Sequence, residues 1–118
     1  MAIPLAPEEG STCSRVSDAV SALYLEKFGR GPLQARTFIH GDVVVTLLED
    51  VFTPAEKALV KAGKPDSVLT IRMHWQHSTD ELFRITVSQI LDRVVLAAIS
   101  GFDLEHDMAS EVFVLAPA

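Results

Sequence analysis

The sequence predicts an α+β domain of two layers, with helices packed on one face of a four-stranded, mostly antiparallel sheet. Three observations carry this prediction. Two segments rich in β-branched residues, 35–40 and 42–49, flank a tight turn at Gly41. Two further apolar segments, 93–99 and 111–116, close the chain. Before and between the two pairs, apolar residues recur at helical spacing instead. The resulting order is α-β-β-α-α-β-β, which folds most simply as two hairpins joined in one sheet.

Residues 1–12 hold Pro4, Pro7 and Gly10 and little periodicity, and read as a flexible N-terminal tail ahead of a single domain over 13–118. The first helix follows from Val16, Ala19, Val20, Leu23, the Lys27 stem and Phe28, with Gly29 as its left-handed stop and Pro32 preventing resumption. In the first hairpin, the run from Val43 to Leu48 is apolar almost without alternation, so both of its faces need cover. Thr53-Pro-Ala-Glu56 is a capping box with proline at the first helical position, and Gly63 ends the short helix that it starts. A second start at Pro65 opens a helix running to about Leu91, roughly 35 Å long. Its inward stripe reads as Val68, Ile71, Trp75, Thr79, Leu82, Thr86 and Ile90, reinforced by Phe83 and Val87. The last hairpin has strands at 93–99 and 111–116, an acidic connection over 100–110, and its final strand at the sheet edge.

Composition excludes several classes of function. The chain has 118 residues, 48% of them hydrophobic, and a formal net charge of −6, from 16 acidic against 10 basic residues. That balance opposes nucleic-acid binding, which rests on neutralising phosphates. A single cysteine, Cys13, builds no disulfide scaffold and suits a reducing cytoplasm. No apolar run reaches the length of a membrane span, and the start lacks the basic region of a secretory signal, so a cytoplasmic protein without membrane insertion is expected. No nucleophile elbow, phosphate loop or dinucleotide fingerprint occurs, so the expectation is a non-enzyme without a cofactor.

The candidate site residues are few. Arg30, Gly31 and Pro32, with Arg36 and Thr37 just beyond, have two readings: a helix cap and turn, or a cradle for a small anion such as bicarbonate or for a partner protein. A helix end presents carbonyls, which favours the cap. His74 and His77 share one face of the long helix but lack a third ligand, so no metal site is expected. Asp103, Glu105, Asp107 and Glu111 alternate as calcium ligands do, but Met108 and Val114 stand where the loop's glycine and bidentate ligand belong, leaving a solvated acidic loop. The apolar content, set against so small a domain, predicts a homodimer through paired sheets or long helices.

Gly29-Arg-Gly-Pro32 with Ala35-Arg-Thr37, Leu48-Glu49, Thr53-Pro-Ala-Glu56 with Gly63, and the closing Glu111-Val-Phe-Val-Leu115 together resemble the MpsC-like family over about residues 14–117. The resemblance implies a cytosolic accessory or regulatory protein of a bacterial Na+-translocating, membrane-potential-generating system linked to inorganic-carbon uptake. It implies membrane-system subunits as partners and supplies no catalytic residues. Where many relatives turn through Leu-Thr-Gly-Arg after the long helix, this chain has Ile90-Leu-Asp-Arg93, with Asp92 in the glycine's place; His74-Trp-Gln-His77 also differs from the relatives.

Overall fold

Helix caps and strand alternation set the architecture, which a computed structural model describes over residues 7–118. Helix α1 spans Pro7–Phe28, strands β1 and β2 span Gln34–His40 and Val43–Glu49, and helices α2 and α3 span Pro54–Lys61 and Pro65–Leu91. Strands β3, Val95–Asp103, and β4, Met108–Leu115, complete the chain. All neighbouring strands are antiparallel, in the order β1-β2-β4-β3. The predicted α+β class and element order hold, and the helices lie against one face of the sheet.

Two boundaries and one strand position differ from expectation. The helical turn begins at Pro7, so residues 7–12 of the expected tail belong to α1; residues 1–6 lie outside the described residues. A proline in the first turn sacrifices no hydrogen bond, because the first N–H groups of a helix have no intrahelical acceptor. Cys13 is accordingly buried within α1, away from any loose end. The last hairpin is tighter than expected, with β3 continuing to Asp103 and β4 starting at Met108. Finally, β4 is a central strand between β2 and β3, not an edge.

Alternation divides β1, β2 and β4 between two faces, while β3 shifts register between Val95 and Ala97. Val44 and Leu48 on β2, Ala109, Phe113 and Leu115 on β4, and Val95 on β3 face the helices and join Val16, Val20, Leu23 and Tyr24 of α1 with Val68, Phe83 and Val87 of α3. Removing such surfaces from water is the dominant favourable term in folding. The capping box at α2 forms as the sequence requires: Glu56 N donates to Thr53 Oγ1 at 3.2 Å, and Thr53 N donates to Glu56 Oε1 at 2.8 Å.

Helix α3 ends at Asp92, whose φ of 52° and ψ of 44° are left-handed. Aspartate tolerates this region better than most residues but still at a cost that glycine avoids. Asp92→Gly is therefore expected to stabilise the fold by about 0.5–1 kcal/mol, the left-handed cost less the greater chain entropy of glycine. Thermal denaturation checks this, and a lower melting temperature for the variant contradicts it.

Candidate functional site

The helix-facing surface of the sheet is interrupted by a polar row. Register aligns Thr37 with Thr46, Thr46 with Glu111, and Glu111 with Ser100, so one polar residue from each strand crosses the sheet beneath the helices. At one end, the Thr37 hydroxyl lies 2.7 Å from Ser17 Oγ of α1 and 2.9 Å from Thr46 Oγ1. At the other, three donors converge on Glu111, which is wholly buried. Tyr24 OH donates to Oε1 at 2.7 Å, while Gln76 Nε2 and Ser100 Oγ donate to Oε2 at 3.1 and 2.5 Å.

Burial pushes the Glu111 carboxyl up to about 7, against hydrogen bonds from Ser100, Tyr24 and Gln76 that favour its charged form; Asp80 adds a smaller upward push. Burial also raises the Tyr24 phenol well above its ordinary value, reinforced by the charge on Glu111. The pair thus holds a titratable carboxyl beside a phenol that keeps its proton.

A second polar centre lies one turn earlier on α3. Arg72 is wholly buried, and its Nε and Nη2 donate to Glu56 Oε2 and Oε1, each at 2.6 Å. Nη2 also donates to the Val51 carbonyl at 2.9 Å. The guanidinium carbon sits 3.9 Å from the Phe28 ring centroid and 5.0 Å from that of Phe52, so aromatic faces provide the remaining contact with the cation. Burial raises the Glu56 carboxyl, but the Arg72 and Thr53 hydrogen bonds outweigh it and hold Glu56 below its usual value.

Val68, Thr79, Phe83 and Val87 of the stripe predicted on α3 are buried as expected, but these contacts put Arg72 and Gln76 inward in place of Ile71 and Trp75. Its buried residues are Val68, Arg72, Gln76, Thr79, Phe83 and Val87, whereas Ile71 and Trp75 are 51% and 46% exposed and Leu82 also faces outward. Hydrophobicity alone favours the tryptophan for the core. The partners Glu56 and Glu111, neither of them near in sequence, favour the arginine and glutamine instead. The open face of the sheet shows the same inversion, with Phe38 51% and Ile99 58% exposed.

The residues singled out in the sequence do not gather into one cradle. Arg30 Nη2 meets Asp50 Oδ2 at 2.7 Å in the loop after β2. Gly31 lies against α1, where an added Cβ would stand 3.5 Å from the Ser21 carbonyl oxygen, and Pro32 is half-buried between that turn and β1. Arg36 projects from the open face and pairs with Glu49 at 3.1 Å, while Thr37, next along the strand, enters the polar row on the opposite face. His74 and His77 are exposed, and among the described residues no group of three or more histidine, cysteine or acidic side chains is placed to share a metal ion.

Nor is the acidic stretch a uniformly solvated loop. Asp107 Oδ1 accepts from Val51 N at 2.8 Å and Phe52 N at 3.0 Å, tying the β3–β4 turn to the segment before α2, and Glu111 is interior. Glu111 was detectable in the sequence, since period two places it on the same face as Ala109, Phe113 and Leu115. Arg72 had no such local signal.

The family described as Na+-translocating membrane potential-generating system (MpsC) matches residues 8–117. The chain belongs to the MpsC family. Membership associates it with that membrane system, although among the described residues no helix is long and apolar enough to cross a membrane. No curated protein and no solved structure matches the chain.

Two predictions follow from the polar centres of this MpsC family member. Glu56→Ala leaves the Arg72 cation buried without its carboxylate and removes half of the capping box, so a loss of about 3–5 kcal/mol is expected in urea denaturation; a loss below 1 kcal/mol contradicts the pairing. For Glu111, a folded value near 7 against an ordinary 4.5 means that the native state keeps a proton that the unfolded chain releases between those limits. Its stabilising contribution is complete below pH 4.5 and is lost as the pH rises through 7. Glu111→Gln is uncharged throughout, so its stability relative to the parent should rise by about 3 kcal/mol between pH 4.5 and 8, and a difference constant with pH contradicts the burial argument.

Proposed function

We propose that this chain is a non-enzymatic, cytoplasmic accessory or regulatory protein of the Na+-translocating system, linked to inorganic-carbon uptake, that acts by docking to protein subunits. The observation that carries this reading is the inversion of polarity. A small domain spends Arg72, Gln76 and Glu111 in its interior while Ile71, Trp75, Leu82 and Ile85 remain exposed on α3. Large apolar side chains left exposed in groups, here Ile71 with Trp75 and Leu82 with Ile85, mark a place that another surface covers. The polar interior supports docking over catalysis, because Arg72 pairs with Glu56 and Tyr24 with Glu111 inside the packed domain, where among their buried polar atoms only Arg72 Nη1 lacks a hydrogen-bond partner.

The outer stripe of α3 is the surface that meets the membrane-system subunit in this reading. Its spacing, Ile71 to Trp75 and then Leu82 to Ile85, gives an anchor at each end of the helix face. Affinity capture from the native host with tagged parent protein is expected to retrieve a membrane subunit, and Trp75→Glu to lose it with the fold unchanged by circular dichroism. Deletion is expected to lower the membrane potential and growth at limiting inorganic carbon. Retrieval of no membrane subunit, together with a deletion strain of unaltered potential, contradicts the proposal.

A further inference from the structure

The open face of the sheet is the second unpartnered surface, and its residues are arranged to fit a copy of themselves. Cross-strand register sets Phe38, Val45, Val112 and Ile99 in one continuous row. On one side of it lie His40, Val43, Val114 and Ala97, and on the other Arg36, Leu47, Ser110 and Gly101. The next row, Gln34, Glu49, Met108 and Asp103, brings the charged rim. The apolar part of the face is thus central, with its charges along one end and one edge.

We infer that this face is the interface of a two-fold dimer in which two copies of the sheet stack with β2 over β4 and β1 over β3. A two-fold axis parallel to the strands reverses the strand order and keeps each row over itself. Val45 then meets Val112 of the second copy, Val43 meets its Val114, and Leu47 meets its small Ser110. At the edges, two bulky residues of β1 oppose small ones of β3, Arg36 over Gly101 and His40 over Ala97, while Phe38 meets the large apolar Ile99. Gly101 leaves room there, since nothing but Ser110 Oγ approaches the place of its missing Cβ, at 3.3 Å. Arg36 also comes beside Asp103 of the second copy, two residues along from Gly101. An axis across the strands instead sets β1 on β1, with Arg36 against His40 and Phe38 against Phe38, and loses both the size and the charge matching.

The area is sufficient. With strands about 4.8 Å apart and outward residues about 6.8 Å apart along each strand, three rows present a projected face of about 400 Å² per copy. The corrugated pair then hides on the order of 1,000 Å² of accessible surface, about the threshold that separates a biological interface from a lattice contact. Stacking at about 10 Å is the ordinary geometry of two packed sheets. The inference is independent of the membrane-system reading, because it uses the sheet face and leaves the α3 stripe open.

Sedimentation equilibrium of the full chain tests it. The parent is expected at twice the 12.9 kDa chain mass, and a monomer throughout the micromolar range overturns the inference. Val45→Lys and Val112→Glu are each expected to weaken the dimer on the order of 100-fold, by burying two unpaired charges, with native circular dichroism. Mixing these two variants is expected to restore a dimer, since Val45→Lys of one chain faces Val112→Glu of the other; a mixture that stays monomeric overturns the stacking. Phe38→Ser, at the rim of the row, serves where a central charge prevents folding and is expected to weaken association likewise. Dimers unaffected by Phe38→Ser and by both charged variants, but lost with Ile71→Glu, place the interface on α3 and overturn the proposal.

Discussion

Glu111 fixes the arrangement of everything packed on the sheet. A carboxyl on a central strand, beneath two helices, requires donors, and it draws them from Tyr24 on α1, Gln76 on α3 and Ser100 on β3. Gln76 reaches it because α3 is turned to bring that residue inward. That rotation carries Arg72, one turn earlier on the same face, to Glu56, which thereby caps α2 and pairs with a buried cation. With Gln76 and Arg72 facing inward, Trp75 and Ile71, each about 100° round the helix from its neighbour, are left about half exposed. The exposed apolar stripe is therefore a consequence of the interior chemistry.

Stability alone does not explain such an interior. Replacing a buried ion pair by well-packed apolar residues is often neutral or stabilising. The polar seam instead makes alternatives costly: turning α3 by one residue strands Arg72 from Glu56 and leaves Glu111 short of a donor, each a loss of about 1–3 kcal/mol or more. An apolar seam tolerates such a slip far better. The result is a rigid presentation of two outward surfaces, one on α3 and one on the sheet, whose hydrophobic residues need a place outside the chain. Asp107, which fastens the β3–β4 turn to the segment before α2, completes the frame at the end opposite Asp92.

Local signals made most of the fold legible. The hairpin turn at Gly41, the capping box at Thr53, the proline at 65 and the element order each rest on residues close in sequence, and each is present in the structure. The start of α1 was misread because Pro7 breaks a helix in its interior yet begins one at its first turn. The inward face of α3 was read correctly at Val68, Thr79, Phe83 and Val87 and misread at Ile71, Trp75 and Leu82 for a different reason. Its apolar periodicity indicates Ile71 and Trp75, while the correct face depends on acidic partners 16 residues before Arg72 and 35 after Gln76. Arg30, Arg36 and Thr37 were legible as unusual residues, but alternation along β1 sends the last two to opposite faces, and the loop carboxylate of Asp50 takes the first.

Comparing Trp75→Ala with Gln76→Ala by urea denaturation at pH 8, followed by circular dichroism, tests the inversion most directly. Adjacent residues on one helix then report which side faces the core. An outward Trp75 predicts a cost of about 1 kcal/mol or less, and a buried Gln76 that donates to ionised Glu111 predicts about 1–3 kcal/mol. The larger loss is expected from the glutamine. A tryptophan truncation costing the 3–5 kcal/mol of a core aromatic, with Gln76→Ala nearly neutral, contradicts the account.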